Sequence, residues 1–117
     1  MSNDPRPMVR KSSAIITIAA GATPETLYQR TTGGQNPRTV ILRKILAYNA
    51  VAATTLMIGT GLGGAWVQRW PTLRLVNNMD NEWTEDMIPE VEIGADLTGQ
   101  TNVLGVLVQV EIDEVGS

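Results

Sequence analysis

The sequence predicts an all-β fold, an antiparallel sandwich or small barrel, on three observations. No stretch sustains the apolar period of a helix. β-Branched runs recur between breaks rich in Gly, Pro and Asn, enough for six to eight short strands. The C-terminal stretch alternates apolar with polar or small residues along most of its length. A length of 117 residues suits one domain with its own core.

Met1–Ser12 reads as an extended arm, because Pro5 and Pro7 break regular structure and Met8 and Val9 are its only large apolar residues after Met1. Ordering such an arm costs about 1–2 kcal/mol per residue in backbone entropy, which its few apolar side chains return poorly on their own domain. It is therefore expected to pack on a neighbouring chain, and residues 13–117 to form a single sandwich domain.

Ser13–Ala19 predicts the first strand, since Ile15, Ile16, Thr17 and Ile18 are all β-branched. The same region imitates a secretory signal, with Arg10 and Lys11 before an apolar run and Ala20-Gly21-Ala22 after it, but that run is short and holds Thr17. Gly21–Pro24 makes a turn, Glu25–Arg30 a short extended piece and Thr32–Pro37 a loop. Arg38–Asn49 predicts a long strand whose alternation slips at Arg43-Lys44, where a β-bulge would restore the phase. Thr54–Thr60 is another strand, and a Gly-rich loop follows at Gly59–Gly64. Trp66–Trp70 and Thr72–Val76 read as short strands split by Pro71, and Asn77–Glu85 as a polar loop or single helical turn. Met87–Ile93 alternates, and Pro89 makes it an edge strand. In Asn102–Asp113, Leu104, Val106, Val108, Val110 and Ile112 share one face. This strand is expected at the centre of the core sheet, with Val108 and Val110 buried and Gln109 and Glu111 more exposed.

The chain has no Cys and no His. Disulfides, thiolate chemistry and zinc–thiolate sites are excluded, as are a Ser-His-Asp triad, a papain-like site and a zincin site. Carboxylates remain a route to catalysis; Glu90 and Glu92, two apart on one strand face, are the candidates, but no aromatic platform accompanies them. The expectation is a protein that is not an enzyme. No apolar run reaches the length of a membrane span.

Charge is uneven. All nine basic residues lie at or before Arg74, opposed there by Asp4 and Glu25, which leaves +7. Leu75–Ser117 holds ten acids and no base, which leaves −10. Either the halves interleave and neutralise each other within one domain, or the body has one basic and one acidic face that favours contacts between copies.

Gly59–Gly64 satisfies G-x-G-x-x-G in form, yet Pro71 follows closely and Trp66–Trp70 looks extended, so a strand connection is expected and no nucleotide. Asp80–Asp86 is dense in oxygen ligands but lacks the Gly and distal Glu of an EF-hand loop, so a solvated loop, or one paired with Arg, is preferred to calcium. Trp66 and Trp70 would share a strand face, as core, as subunit interface or as a stacking platform for sugars. Arg10, Lys11, Arg38, Arg43 and Lys44 are weighed against a negative net charge and no binding motif, so nucleic acid is not expected.

A sandwich with an extended arm and no catalytic set reads as an assembly module. The arm Met1–Ser12, the run Thr39–Asn49 into Thr54–Thr60, and Trp83-Thr84-Glu85-Asp86-Met87-Ile88-Pro89-Glu90 followed by one long strand together resemble the capsid decoration or cement proteins of tailed bacteriophages. The resemblance covers the whole chain in pattern. It implies a jelly-roll-like fold, homotrimeric clusters, a major capsid protein as partner, no cofactor or metal, synthesis in the host cytoplasm and a place on the virion exterior. The expected interface residues are Arg6, Met8, Val9, Arg10, Lys11, Trp66, Trp70, Glu82, Trp83, Glu85 and Asp86, with basic arm residues meeting acids of the 82–86 loop on a neighbour. The alternative is a carbohydrate- or receptor-binding sandwich using Trp66 and Trp70.

Overall fold

Alternation along the longest strands decides the architecture: each has one apolar face, and two such sheets bury those faces against each other. The computed structural model describes residues 7–18, 23–31, 38–49, 54–76, 78–102 and 105–116. Its strands are β1 (Met8–Ser12), β2 (Ile16–Ile18), β3 (Glu25–Tyr28), β4 (Thr39–Tyr48), β5 (Thr54–Thr60), β6 (Val67–Gln68), β7 (Leu73–Leu75), β8 (Asp80–Trp83), β9 (Glu92–Ile93), β10 (Leu97–Thr101) and β11 (Val106–Val115). The front sheet runs β1-β11-β4-β8, with β2 also on β11 and β9 also on β4; the back sheet runs β3-β10-β5-β6, with β7 also on β5. All the pairings are antiparallel. The chain is an all-β antiparallel sandwich.

Val106, Val108, Val110 and Ile112 of β11 meet Val40, Leu42, Ile45 and Ala47 of β4 on the inner side of the front sheet. Leu27, Leu56, Ile58, Leu75 and Leu97 supply the back sheet's side, and Trp70 joins them. Each fully buried large aliphatic chain contributes about 1.5–3 kcal/mol.

The slip at Arg43-Lys44 is a bulge. Glu111 pairs with Lys44, but the next residue, Ile112, pairs with Leu42, so Arg43 is the extra residue. Without it, either Ile45 and Ala47 or Leu42 and Val40 would face outward, because a one-residue shift reverses every side chain.

β11 is central, with Val108 and Val110 buried and Gln109 and Glu111 partly exposed, as the alternation predicts. It runs on to Val115, past the predicted end. The expectation for the arm is overturned over Met8–Ser12: these residues form β1 on β11 of their own chain. Ser13 lets β1 and β2 follow one edge. Its N–H donates to the Val110 carbonyl at 2.8 Å, and its Oγ accepts the Val110 N–H at 3.0 Å. Residues 1–6 lie outside the described residues.

Two further readings are corrected, and one strand is added. Asp80–Trp83 is a strand on β4, and the helical turn falls later, as a 3-10 turn at Glu85–Met87. Met87–Ile93 shrinks to Glu92–Ile93, while Ile88 turns into the core. Leu97–Thr101, which carries no strand signal in the sequence, is an inner strand of the back sheet.

Candidate interface on the front sheet

The outer face of the front sheet is built from the residues between the core positions of β11 and β4. Register places Leu107 beside Tyr48, Gln109 beside Leu46 and Glu111 beside Lys44. Thr17 of β2 and Asp80 of β8 extend the first row, Glu82 extends the second, and Ser12 extends the third. Two zones result. Around Leu107, Tyr48, Leu46 and Ile15 lies an apolar hollow of about 440 Å³. Ile15 is 65% exposed and Leu107 38%. Below it runs a charged groove lined by Met8, Arg10, Lys44, Glu85, Asp86 and Glu111.

In the charged zone, opposite ends of the sequence meet. Asp113 accepts from Arg10 Nε at 2.7 Å and from Arg43 Nε at 2.8 Å. Arg43 also reaches Glu90 at 2.9 Å and Glu85 at 3.8 Å. Lys44 meets Glu82 at 3.0 Å. Burial would raise the Asp113 carboxyl, but hydrogen bonds from Arg10 and Arg43 outweigh it and hold it below the usual range. These pairs join bases of residues 10–44 to acids of residues 82–113, so of the two readings of the charge asymmetry, interleaving describes this face.

Glu114 points the other way, between the sheets, with a side chain wholly shielded from solvent. It accepts from the Tyr28 hydroxyl at 2.5 Å, the Thr31 N–H at 2.9 Å and the Thr31 hydroxyl at 3.0 Å, with Arg38 at 3.4 Å and Lys11 at 3.6 Å. Burial pushes its carboxyl up, yet these hydrogen bonds and the Lys11 charge prevail and hold it at about 2. Burial and the bond to Glu114 raise the Tyr28 hydroxyl, keeping it a donor. Sequence reasoning passed over Glu114, although it continues the 106-108-110-112 phase.

The predicted interface residues scatter. Met8, Arg10, Glu85 and Asp86 share the charged groove. Glu82 is held by Lys44 and Lys11 by Glu114, while Val9 is exposed. Arg6 lies outside the described residues. Trp83 is half-buried against the core. Trp66 is half-buried at the end of a 3-10 turn (Gly63–Ala65). Trp70 is core, 4% exposed, and donates its indole N–H to the Pro89 carbonyl at 3.0 Å. Core was one of the places expected for Trp70, but the strand face it was to share with Trp66 is not formed, because the strand between them is only Val67–Gln68. Arg10 and Lys11 meet Glu111, Asp113 and Glu114 of their own chain, not the 82–86 acids.

The other motifs resolve locally. A Cβ on Gly59 would lie 1.9 Å from the Val67 carbonyl oxygen, and Gly61 has φ +86°, so both glycines serve the tight return from β5 to β6. Gly64 sits in a three-residue 3-10 turn, not at the start of a helix. Glu90 is held by Arg43 and Glu92 by the Thr39 hydroxyl. Among the described residues, no three acids converge as a metal site, and no helix is long and apolar enough to cross a membrane.

No family model matches the chain, and no curated protein matches it. A solved structure described as "Bacillus endospore appendages form a novel family of disulfide-linked pili" is similar, with a TM-score of 0.47 and 16% identity, covering 100% of this chain and 96% of that one.

Proposed function

We propose that this chain is a structural protein that decorates or cements a viral capsid across subunit junctions, with the outer face of the front sheet making the assembly contacts. The observation that carries the reading is the apolar zone of that face. Ile15 and Leu107 stand exposed on a sheet whose neighbouring half pairs Arg10, Arg43 and Lys44 with acids of the same chain. Exposed aliphatic groups clustered on a flat sheet and rimmed by charge are suited to protein contact. The chain has no His or Cys, and among the described residues no three acids converge as a metal site. The place of action is the virion exterior, reached after synthesis in the host cytoplasm, with a major capsid protein as partner.

The test is to purify particles by density gradient from cultures that encode the chain and to count chain copies per particle. Copies should be stoichiometric with a capsid subunit, and Leu107→Glu should cut them at least tenfold. A chain that stays in the soluble fraction, or a variant that loads as fully as the parent, overturns the reading.

A further inference from the structure

The rows on this outer face complement one another from left to right. Leu107 of β11 lies beside Tyr48 of β4, Gln109 beside Leu46, and Glu111 beside Lys44. All six alternate with core residues and none is buried. Lys44 Nζ and Glu111 Oε2 are 4.0 Å apart, each with a second partner on its far side, Glu82 for Lys44 and Arg10 for Glu111.

Consider a two-fold axis parallel to these strands and passing between them. It carries β4 of one copy over β11 of another. Leu107 then faces Tyr48, Leu46 faces Gln109 and Lys44 faces Glu111, each twice. A two-fold interface requires a surface that complements itself in this way. The set spans five residues of each strand, about 14 Å, so the usual crossing angle of about 30° between stacked sheets moves the outer rows by only a few ångström. The turn at Glu85–Met87, where Glu85 reaches Arg43, bounds the contact at the charged end.

We infer that this face binds a second copy of the chain about that axis, covering the apolar rows and closing two intermolecular Lys44–Glu111 pairs. The inference rests on the assembly reading and makes this face the contact between copies, which leaves the capsid protein to other surfaces. A pairing of this kind links copies held on different lattice subunits, and it leaves the trimeric clusters implied by the resemblance to other surfaces.

Sedimentation equilibrium of the full chain tests it. The parent should dimerise reversibly with concentration. Leu107→Glu, at an exposed position, should stay monomeric with an unchanged melting curve. Lys44→Glu and Glu111→Lys should each self-associate at least tenfold more weakly, because like charges then face each other. Mixed together, the two should form a heterodimer, since every facing charge is again opposite. Leu107→Glu gives an independent result should a charge variant fail to fold. A parent that is monomeric at about 1 mM, a Leu107→Glu chain that dimerises normally, or charge variants that associate no better mixed than alone would each refute the pairing. A monomeric chain that still loads onto particles refutes the pairing and leaves the assembly reading standing; a dimer that never loads does the reverse.

Discussion

At its Val106–Val110 end, β11 is held to the sandwich by Val106, Val108 and Val110, all buried among aliphatic neighbours. At its Glu111–Val115 end, consecutive carboxylates take over on opposite faces. Asp113 is clasped by Arg10 and Arg43 outside, and Glu114 is sealed inside among Tyr28, Thr31, Arg38 and Lys11. Burial at the first end is non-directional and tolerates small shifts. The second end depends on particular donors reaching particular oxygens. Removing a carboxylate there leaves its donors without an acceptor, whereas trimming a valine only thins the packing.

The largest break in this contrast is Glu114→Ala. It strands the Tyr28 hydroxyl and the Thr31 N–H and should cost about 3–4 kcal/mol in urea unfolding. Acid should do nearly as much. The Glu114 carboxyl is held at about 2, against an ordinary 4.5. Its contribution is complete above the ordinary value and is lost as pH falls from there towards 2, amounting to about 3 kcal/mol. The lowered Asp113 carboxyl adds in the same direction. A Glu114→Gln chain should lose most of this acid sensitivity; an unchanged pH profile would show that Glu114 is not its source. Next in size is Val108→Ala, expected to cost about 2 kcal/mol with no dependence on pH between 7 and 3 beyond the parent's own. Smallest is Arg10→Ala. Its side chain is 48% exposed, and Arg43 still holds Asp113, so about 0.5 kcal/mol is expected, shrinking further in molar salt.

The apolar end was legible in the sequence, because alternation over Val106–Ile112 reports a buried face directly. The bulge was legible for the same reason, since Arg43-Lys44 breaks a period that resumes on both sides. The charged end was not. Pairing Asp113 with Arg43, or Glu82 with Lys44, depends on which strands become neighbours, and residue types alone do not carry that. Asp80–Trp83 therefore read as a loop, although its acids sit on an ordinary edge strand. Leu97–Thr101 was missed because Thr98, Gly99 and Thr101 look polar or small while lying buried between β3 and β5. Gly99 lets Leu27 close in to 2.7 Å from where a Cβ would stand, a use of glycine that sequence does not announce. Met8, Arg10, Glu85 and Asp86, expected at an interface from their place in the sequence, line the charged groove, while Leu46, Tyr48 and Leu107 emerged only once β4 lay beside β11.

β11 is the last of these strands to be synthesised, yet it is the one on which β1, β2 and β4 all pair. A ribosome adding about 5–20 residues per second needs on the order of ten seconds to travel from β1 to β11. Until β11 emerges, β1 and β2 have no partner strand and β4 has only β8 and β9, so the nascent front sheet has no centre. Closure of this sheet therefore waits until elongation has reached β11, and a stop codon placed before Val106 should yield a chain that holds no sandwich.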